Sequence, residues 1–379
     1  VPVFYTPKFQ GDARDPLGPV EAIRLGADRI YGAQVGVSLN VYDLFGIVPA
    51  TGTSWIADLD YLSDRGPAFA TRFDYNRRTF LDHSARNRGE VLLFGLLFDD
   101  GEDILGRRNP FTHGRARGRA RWFQNVLDLP NGFTLQSQIA FHSDRNLYEQ
   151  FYKTQFDHDI NQSTFLYVKQ EQGNAAWTAL GQVRTRNWVT RTEWLPRVDG
   201  YLIGQSLFDL FTYNIQGSAG YARLETSNDP FPPVSSTDRD TSTARFNVNQ
   251  ELSAPFRAGP VKIVPYAVLD LTWYSSDLTG ESNGRIYGGG GVRSSLSLSR
   301  LYRDACSTLL NVDGLFHKIV LGSNYFVAGS SDSYLLFAQL DRLNDDATDR
   351  ALRELTPIQG AINPSFPATS PLFDPQRYA

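Results

Sequence analysis

One cysteine, Cys306, and no methionine occur in 379 residues. A single thiol cannot close a disulfide within the chain, and thiolate metal clusters are excluded. Lysine is nearly as scarce. Lys8, Lys153, Lys169, Lys262 and Lys318 are the only five among 37 basic residues, so arginine carries the positive charge. Its planar fork pairs well with phosphate and carboxylate, which suits anionic lipid headgroups, although a GC-rich genome produces the same bias. Long apolar runs are also missing. The longest reads Val91 to Phe94 and then Leu96 to Phe98, far short of the ~20 residues that a spanning helix needs. A chain like this crosses a bilayer as strands or not at all.

Signatures of covalent chemistry are absent too. There is no G-x-S-x-G, no phosphate loop, no paired-histidine zinc motif and no dinucleotide fingerprint. The five histidines are scattered, and only His158, between Asp157 and Asp159, has carboxylates on both sides; a solvated loop explains that triplet. The acidic run Asp99-Asp100-Gly101-Glu102-Asp103 lacks the full spacing and closing glutamate of a calcium loop and reads as a loop, with calcium binding the lesser alternative. No catalytic residue, cofactor, metal or nucleic-acid partner is expected.

What is present is aromatic and alternating. The chain holds 25 Phe, 18 Tyr, 6 Trp and 32 Gly with a slightly negative mean hydropathy, as in barrels whose strands are half polar. In RIYGAQVGVSLNVYDLF, residues 29–45, Tyr31, Ala33, Val35, Val37, Leu39 and Val41 alternate with Gly32, Gln34, Gly36, Ser38 and Asn40. Such a strand faces hydrocarbon on one side and water on the other. Period-two stretches predict strands at 29–46, 54–62, 66–76, 91–98, 115–127, 132–143, 161–171, 174–184, 187–195, 197–204, 211–225, 243–254, 261–275, 286–301 and 314–328. A soluble β-sandwich would also alternate, but strands of 13 to 17 residues are long for one.

Short turns are expected at Leu129-Pro130-Asn131-Gly132, at Gln172-Gly173-Asn174 and from Pro255 to Pro260. Long polar loops are expected at about 77–90, 144–160, 226–242 and 276–285. Short turns at one rim and long loops at the other is barrel design, yet two long loops follow one another between 76 and 115, against that rule. From Asp341 the sequence turns charged and then proline-rich, and 341–379 reads as a long loop. The opening VPVFYTPKF, without a basic-then-apolar leader, reads as a processed or clipped piece. The fold class is therefore all-β, a transmembrane antiparallel β-barrel present as a partial, open fragment.

Charge placement fixes the wet side. Asp58 and Asp60 alternate with Trp55, Ala57, Leu59 and Tyr61; Arg72 and Asp74 alternate with Phe69, Phe73 and Tyr75; Arg245 and Glu251 alternate with Phe246 and Leu252. A charge on the lipid face near the midplane costs ~2–4 kcal/mol, so Asp58, Asp60, Arg72, Asp74, Arg245 and Glu251 are the lumen-facing candidates, and the first four are expected to pair with one another. Trp188 and Trp194 bracket Thr190 and Thr192 on one strand face and suggest one aromatic girdle and mid-bilayer packing. The run Gly288 to Gly291 suggests a barrel corner.

Four segments, in order, carry a family resemblance: VPVFYTPKF; the hairpin RARWFQNVLDLPNGFTLQSQIAFH with SDRNLYEQF at 143–151; ARFNVNQELSAPFRAGPVKIVPYAVLDLTWYS; and LFHKIVLGSNYFV. Together they resemble the LptD family of lipopolysaccharide-assembly proteins, also called the organic solvent tolerance family. The resemblance implies residues 1–20 as the end of a periplasmic jelly roll, 21–340 as barrel strands, and an outer-membrane location. It also implies lipopolysaccharide as cargo, a plug lipoprotein of the LptE type, and periplasmic lipopolysaccharide-bridge proteins as partners. In that family, prolines near the junction weaken a lateral seam by removing ladder donors; Pro2 and Pro7 lie in the matching stretch. Two features depart from the pattern: Gln250 stands where the family often has proline, and Cys306 cannot supply the disulfides of better-known members within this chain. A general porin and a soluble or surface β-rich binding protein are the alternative readings.

Overall fold

The computed structural model describes residues 18–103, 115–158, 162–228 and 239–341. Pro2, Pro7 and the tail beyond Asp341 lie outside the described residues, as does Asp159 beside His158. The strands are β1 (Val20–Asp28), β2 (Gly32–Asn40), β3 (Thr53–Leu62), β4 (Gly66–Phe80), β5 (His83–Asp99), β6 (Arg115–Leu129), β7 (Phe133–His142) and β8 (Thr164–Gln172). They continue as β9 (Ala175–Val183), β10 (Arg191–Leu207), β11 (Phe211–Glu225), β12 (Thr241–Ser253), β13 (Phe256–Ala258), β14 (Val261–Tyr274), β15 (Asn283–Ser307) and β16 (Val312–Ser330).

All sixteen described strands form one antiparallel sheet, each pairing with its neighbour in sequence, apart from short β13, which pairs only with β14. No second described sheet faces it, which excludes the sandwich. Along the path β1 and β16 both run from the short-turn rim to the long-loop rim, so they cannot seal against each other as an antiparallel pair. An antiparallel closure requires a further strand running the opposite way.

The alternation sorts the two faces as expected. Outward rows carry Ile23 and Leu25, Leu59, Leu93, Ile139, Val198, Phe246 and Leu269, all exposed. A single large antiparallel sheet with an unopposed apolar face and a polar inner one is the wall of a transmembrane β-barrel. Two aromatic bands flank that face. Toward the short-turn rim Trp55 meets Phe73 edge-on at 6.1 Å, and Phe133 meets Trp177 at 6.0 Å. Toward the other rim Tyr61, Phe141, Tyr221 and Trp273 stand exposed. These are the positions of interfacial girdles.

Four expectations change. The strand expected over 29–46 stops at Asn40, whose side chain accepts from the backbone N–H groups of Tyr42 and Asp43 and starts helix α1 (Val41–Phe45). A side-chain oxygen that satisfies orphan helix donors ends the strand there. The long loop expected over 77–90 is instead strand, closed by Leu81-Asp82 with both residues at positive φ, so the succession of two long loops disappears. The segments 187–195 and 197–204 are one strand, β10, with a bulge between Trp194 and Arg197 that accommodates donorless Pro196. Finally β1, unrecognised in the sequence, pairs with β2 along its length.

Long connections at 100–114, 143–163, 184–190, 226–240 and 275–282 all leave one rim; the tight turns 81–82, 130–132, 173–174 and 208–210 all sit at the other. Helix α1 and its loop at 41–52 are the exception at the short-turn rim, and the tight turns 29–31 and 63–65 are exceptions at the other. Among the described residues the two buried apolar clusters lie on the inner face, where loops fold back over it. One is Leu62, Ala68 and Leu96 with Phe94 and Phe151; the other is Trp194, Ala222, Leu224 and Tyr274 with Phe337, Ala338 and Leu340.

Candidate functional site

Much of the charge that lines the inner face is paired. Arg115, Arg117, Arg119 and Arg121 recur at period two on β6, so all four point into the lumen. Arg117 lies at the centre. Its Nε and Nη2 donate to Asp144 at 2.9 and 2.7 Å, while its Nη1 donates to Asp99 and Asp103, each at 2.8 Å. Arg65 approaches the same two aspartates at 3.1 Å and also donates to the carbonyls of Ile30, Gly101 and Glu102. Arg115 lies 3.9 Å from Asp144, so three arginines meet three aspartates. Breaking such a buried set costs several kcal/mol because a naked charge remains, so it fixes one arrangement of the chain. The acidic run 99–103 is thus counter-charge to Arg65 and Arg117, and no described group of histidine, cysteine and carboxylates could hold a metal.

The network anchors SDRNLYEQF. Helix α2 (Leu147–Phe151) and helix α3 (Lys153–Asp157) fold into the lumen instead of standing outside the rim. Phe151 lies under the guanidinium groups of Arg65 and Arg117 at 5.5 and 5.1 Å and packs against Phe94. Arg119 stacks on Tyr148 and Tyr152 at 5.1 and 4.1 Å. Burial pushes the Tyr152 hydroxyl up to about 12, against the opposing charge of Arg119. Asp144 is held below its ordinary value: burial acts to raise it, and the hydrogen bonds and charge of Arg117, with Ser143, outweigh that.

A second inward segment follows β16. Phe337 packs on Tyr274 at 4.9 Å, Thr192 donates to the carbonyl of Leu340 at 2.7 Å, and Asp341 pairs with Arg197 at 3.0 Å and with Arg245. Trp194, beneath both arginines, is therefore a buried inner-face residue, and Trp188 precedes the strand. The girdle expected from these two tryptophans does not form. The bulge at Pro196 shifts the inward set from even residues (Trp194) to odd ones (Arg197, Asp199).

The candidates named from sequence lie on the inner face, in four separate ion-paired groups, one of them a triad. Asp58 and Asp60 share Arg24 at 2.7 and 2.8 Å; Arg72 pairs with Asp74 at 3.1 Å; Arg245 pairs with Asp341; Glu251 takes a two-pronged bond from Arg293 at 2.7 and 2.8 Å. The structure does not gather them into one site. The residues that sequence reasoning missed are Arg65, Arg117, Asp99, Asp103 and Asp144. The period-two arginines of 115–121 were the available signal, but their partners are 14 to 27 residues away. Of the glycine run, Gly291 leaves room for the Tyr266 ring, whose Cζ would lie 2.8 Å from an added Cβ.

No family model matches the chain, and no curated protein matches it. Among solved structures it is similar to an in-vitro folded outer membrane protein, OmpT, of Vibrio cholerae. That likeness covers 81% of this chain and 94% of that one at 10% identity and a TM-score of 0.24. So faint a likeness carries no argument. Strand order, sidedness and the two aromatic bands carry the reading: the chain is the wall of an outer-membrane-type β-barrel with a polar lumen narrowed by two inward-folded segments.

Proposed function

We propose that this barrel wall belongs to an outer-membrane translocon that inserts lipopolysaccharide into the outer leaflet, with a plug lipoprotein of the LptE type and periplasmic bridge proteins as partners. The observation that supports it is the fate of SDRNLYEQF, the most distinctive segment of the resemblance to the LptD family. Its residues are used structurally: Asp144 for Arg117, Tyr148 for Arg119, Phe151 beneath two guanidinium groups. A polar inner face suits a saccharide, and an apolar outer face suits acyl chains. The work is movement of lipid, with no covalent step.

Photo-crosslinkers at inner-face Asp58 and Arg72 in living cells test the reading. Labelling of lipopolysaccharide there, and not at outward Phe73 toward the short-turn rim, is expected. Absence of lipopolysaccharide labelling at every inner position, with the protein correctly inserted, overturns it. A general porin is the second reading, favoured by the α2–α3 segment, which narrows the bore as a constriction would. Steady ion conductance that is unchanged when the lipoprotein is removed would establish it instead.

A further inference from the structure

We infer that the inner face of β3–β6, near the short-turn rim, carries a subsite for a sugar bearing an acidic substituent. A pocket of about 410 Å³ opens there, lined by Ser54, Asp74, Asn76, Arg88, Glu90 and Phe123 among others. That size is within the range of small-molecule sites. The lining is a product of register: Ser54, Asp74, Glu90 and Phe123 are successive cross-strand partners in one row, and Asn76 and Arg88 pair in the row beside it. At the edge of the pocket Gly52, at φ +78, brings the backbone so close that a Cβ would fall 2.1 Å from the Asn76 carbonyl oxygen. No larger residue fits.

Charge bookkeeping then distinguishes one residue. Asp74 is matched by Arg72 at 3.1 Å and Glu90 by Arg121 at 3.2 Å. Arg88 is exposed and has no ion pair among the described residues. The pocket therefore carries one uncompensated guanidinium beside two neutralised carboxylates, an amide, a hydroxyl and an aromatic wall. Carboxylates and amides accept from and donate to ring hydroxyls, an aromatic side chain covers the apolar face of a pyranose, and a free guanidinium binds phosphate or carboxylate. A bare anion would leave the row of acceptors unused, and a neutral sugar would leave Arg88 unused. The assignment rests on the translocation reading for where the sugar comes from; the chemistry of the pocket stands by itself.

Titration calorimetry on the intact detergent-solubilised protein tests it with three probes: glucosamine 6-phosphate, glucosamine and inorganic phosphate. The phosphosugar is expected to bind about tenfold or more tightly than either part. Arg88→Gln should reduce it to the affinity of glucosamine, and Phe123→Leu should weaken both sugars while sparing phosphate. Both variants are checked for native heat-modifiable migration in gels. Equal affinity for phosphate and phosphosugar, or an Arg88→Gln protein that binds like the wild type, overturns the subsite. A photo-crosslinker at Asn76 separates the sources. Labelling of lipopolysaccharide supports both readings, whereas labelling of soluble acidic saccharide alone keeps the subsite and removes the translocon.

Discussion

Arg117 and Asp144 meet through two parallel hydrogen bonds of 2.9 and 2.7 Å, with the Arg117 side chain 1% exposed. This joins the long-loop end of β6 to the start of the inward-folded SDRNLYEQF segment. Asp144→Ala leaves a buried guanidinium with two of its three carboxylate partners, and a loss of about 3 kcal/mol is expected. Arg115→Ala, whose side chain is 41% exposed, should cost less than ~1 kcal/mol. Urea unfolding in detergent, read by tryptophan fluorescence, checks both. Equal effects would show that burial does not set the value of this pair.

Acid should loosen the same segment. Asp144 titrates below its ordinary value of 3.8 because the hydrogen bonds and charge of Arg117 outweigh its burial. A depressed carboxylate contributes stability that is complete above the unfolded value and is lost as pH falls through the folded one. Amide exchange across 143–158 should therefore stay slow from neutrality to about pH 5 and accelerate only in stronger acid. Loss of protection already between pH 7 and 5 would contradict this.

Asp277 organises the 275–282 connection. It accepts from the hydroxyl and backbone N–H of Thr279, the backbone N–H of Glu281 and the side chain of Asn283; the Thr279 hydroxyl leads in lowering it to about 2. The turn should hold above pH 4 and open as pH approaches 2. Because the Leu278 N–H donates to the Leu336 carbonyl at 3.0 Å, Asp277→Ala should also raise protease cleavage within 331–341 at neutral pH. Unchanged cleavage there would disconnect the two loops.

Phe337 is 3% exposed, and its ring meets Tyr274 at 4.9 Å. Phe337→Ala removes the main apolar contact of the second inward segment, at a cost of ~3–5 kcal/mol if the site cannot collapse. Exchange should rise across 331–341 while the β10–β12 strands remain protected. Melting of those strands would mean that the segment supports the wall and does not merely rest on it.

Sidedness is testable one residue at a time. Val248 lies in an outward row with exposed Leu271, whereas Gln216 on the neighbouring strand faces the lumen. Val248→Arg should destabilise the inserted barrel by ~2–4 kcal/mol, and Gln216→Arg by less than ~1 kcal/mol. Folding titrations in phospholipid vesicles compare them. The reverse order would place lipid on the wrong face.

Strand positions were legible where alternation ran unbroken, as in 211–225 and 261–275, because a half-buried strand needs one side chain in two to be apolar. They were obscured where the backbone departs from regularity. Leu81-Asp82 takes the positive-φ turn ordinarily supplied by Asn-Gly, so nothing in the residue types announced it, and Pro196 divided one bulged strand into two apparent ones. The inner-face charges were recognised by parity, but Arg24, Arg293 and Asp341 went unnamed as partners. An ion pair such as Arg197–Asp341, 144 residues apart, leaves no local trace.

By itself the sequence determined the period-two repeat and the separation of oily from wet side chains, because those properties depend only on neighbours along one strand. The structure alone decided that loops 143–158 and 331–341 turn inward, that three arginines and three aspartates meet beneath one of them, and that Arg88 has no ion pair among the described residues. Those outcomes depend on register between strands and on long-range charge matching, which take definite values only once the whole sheet has formed.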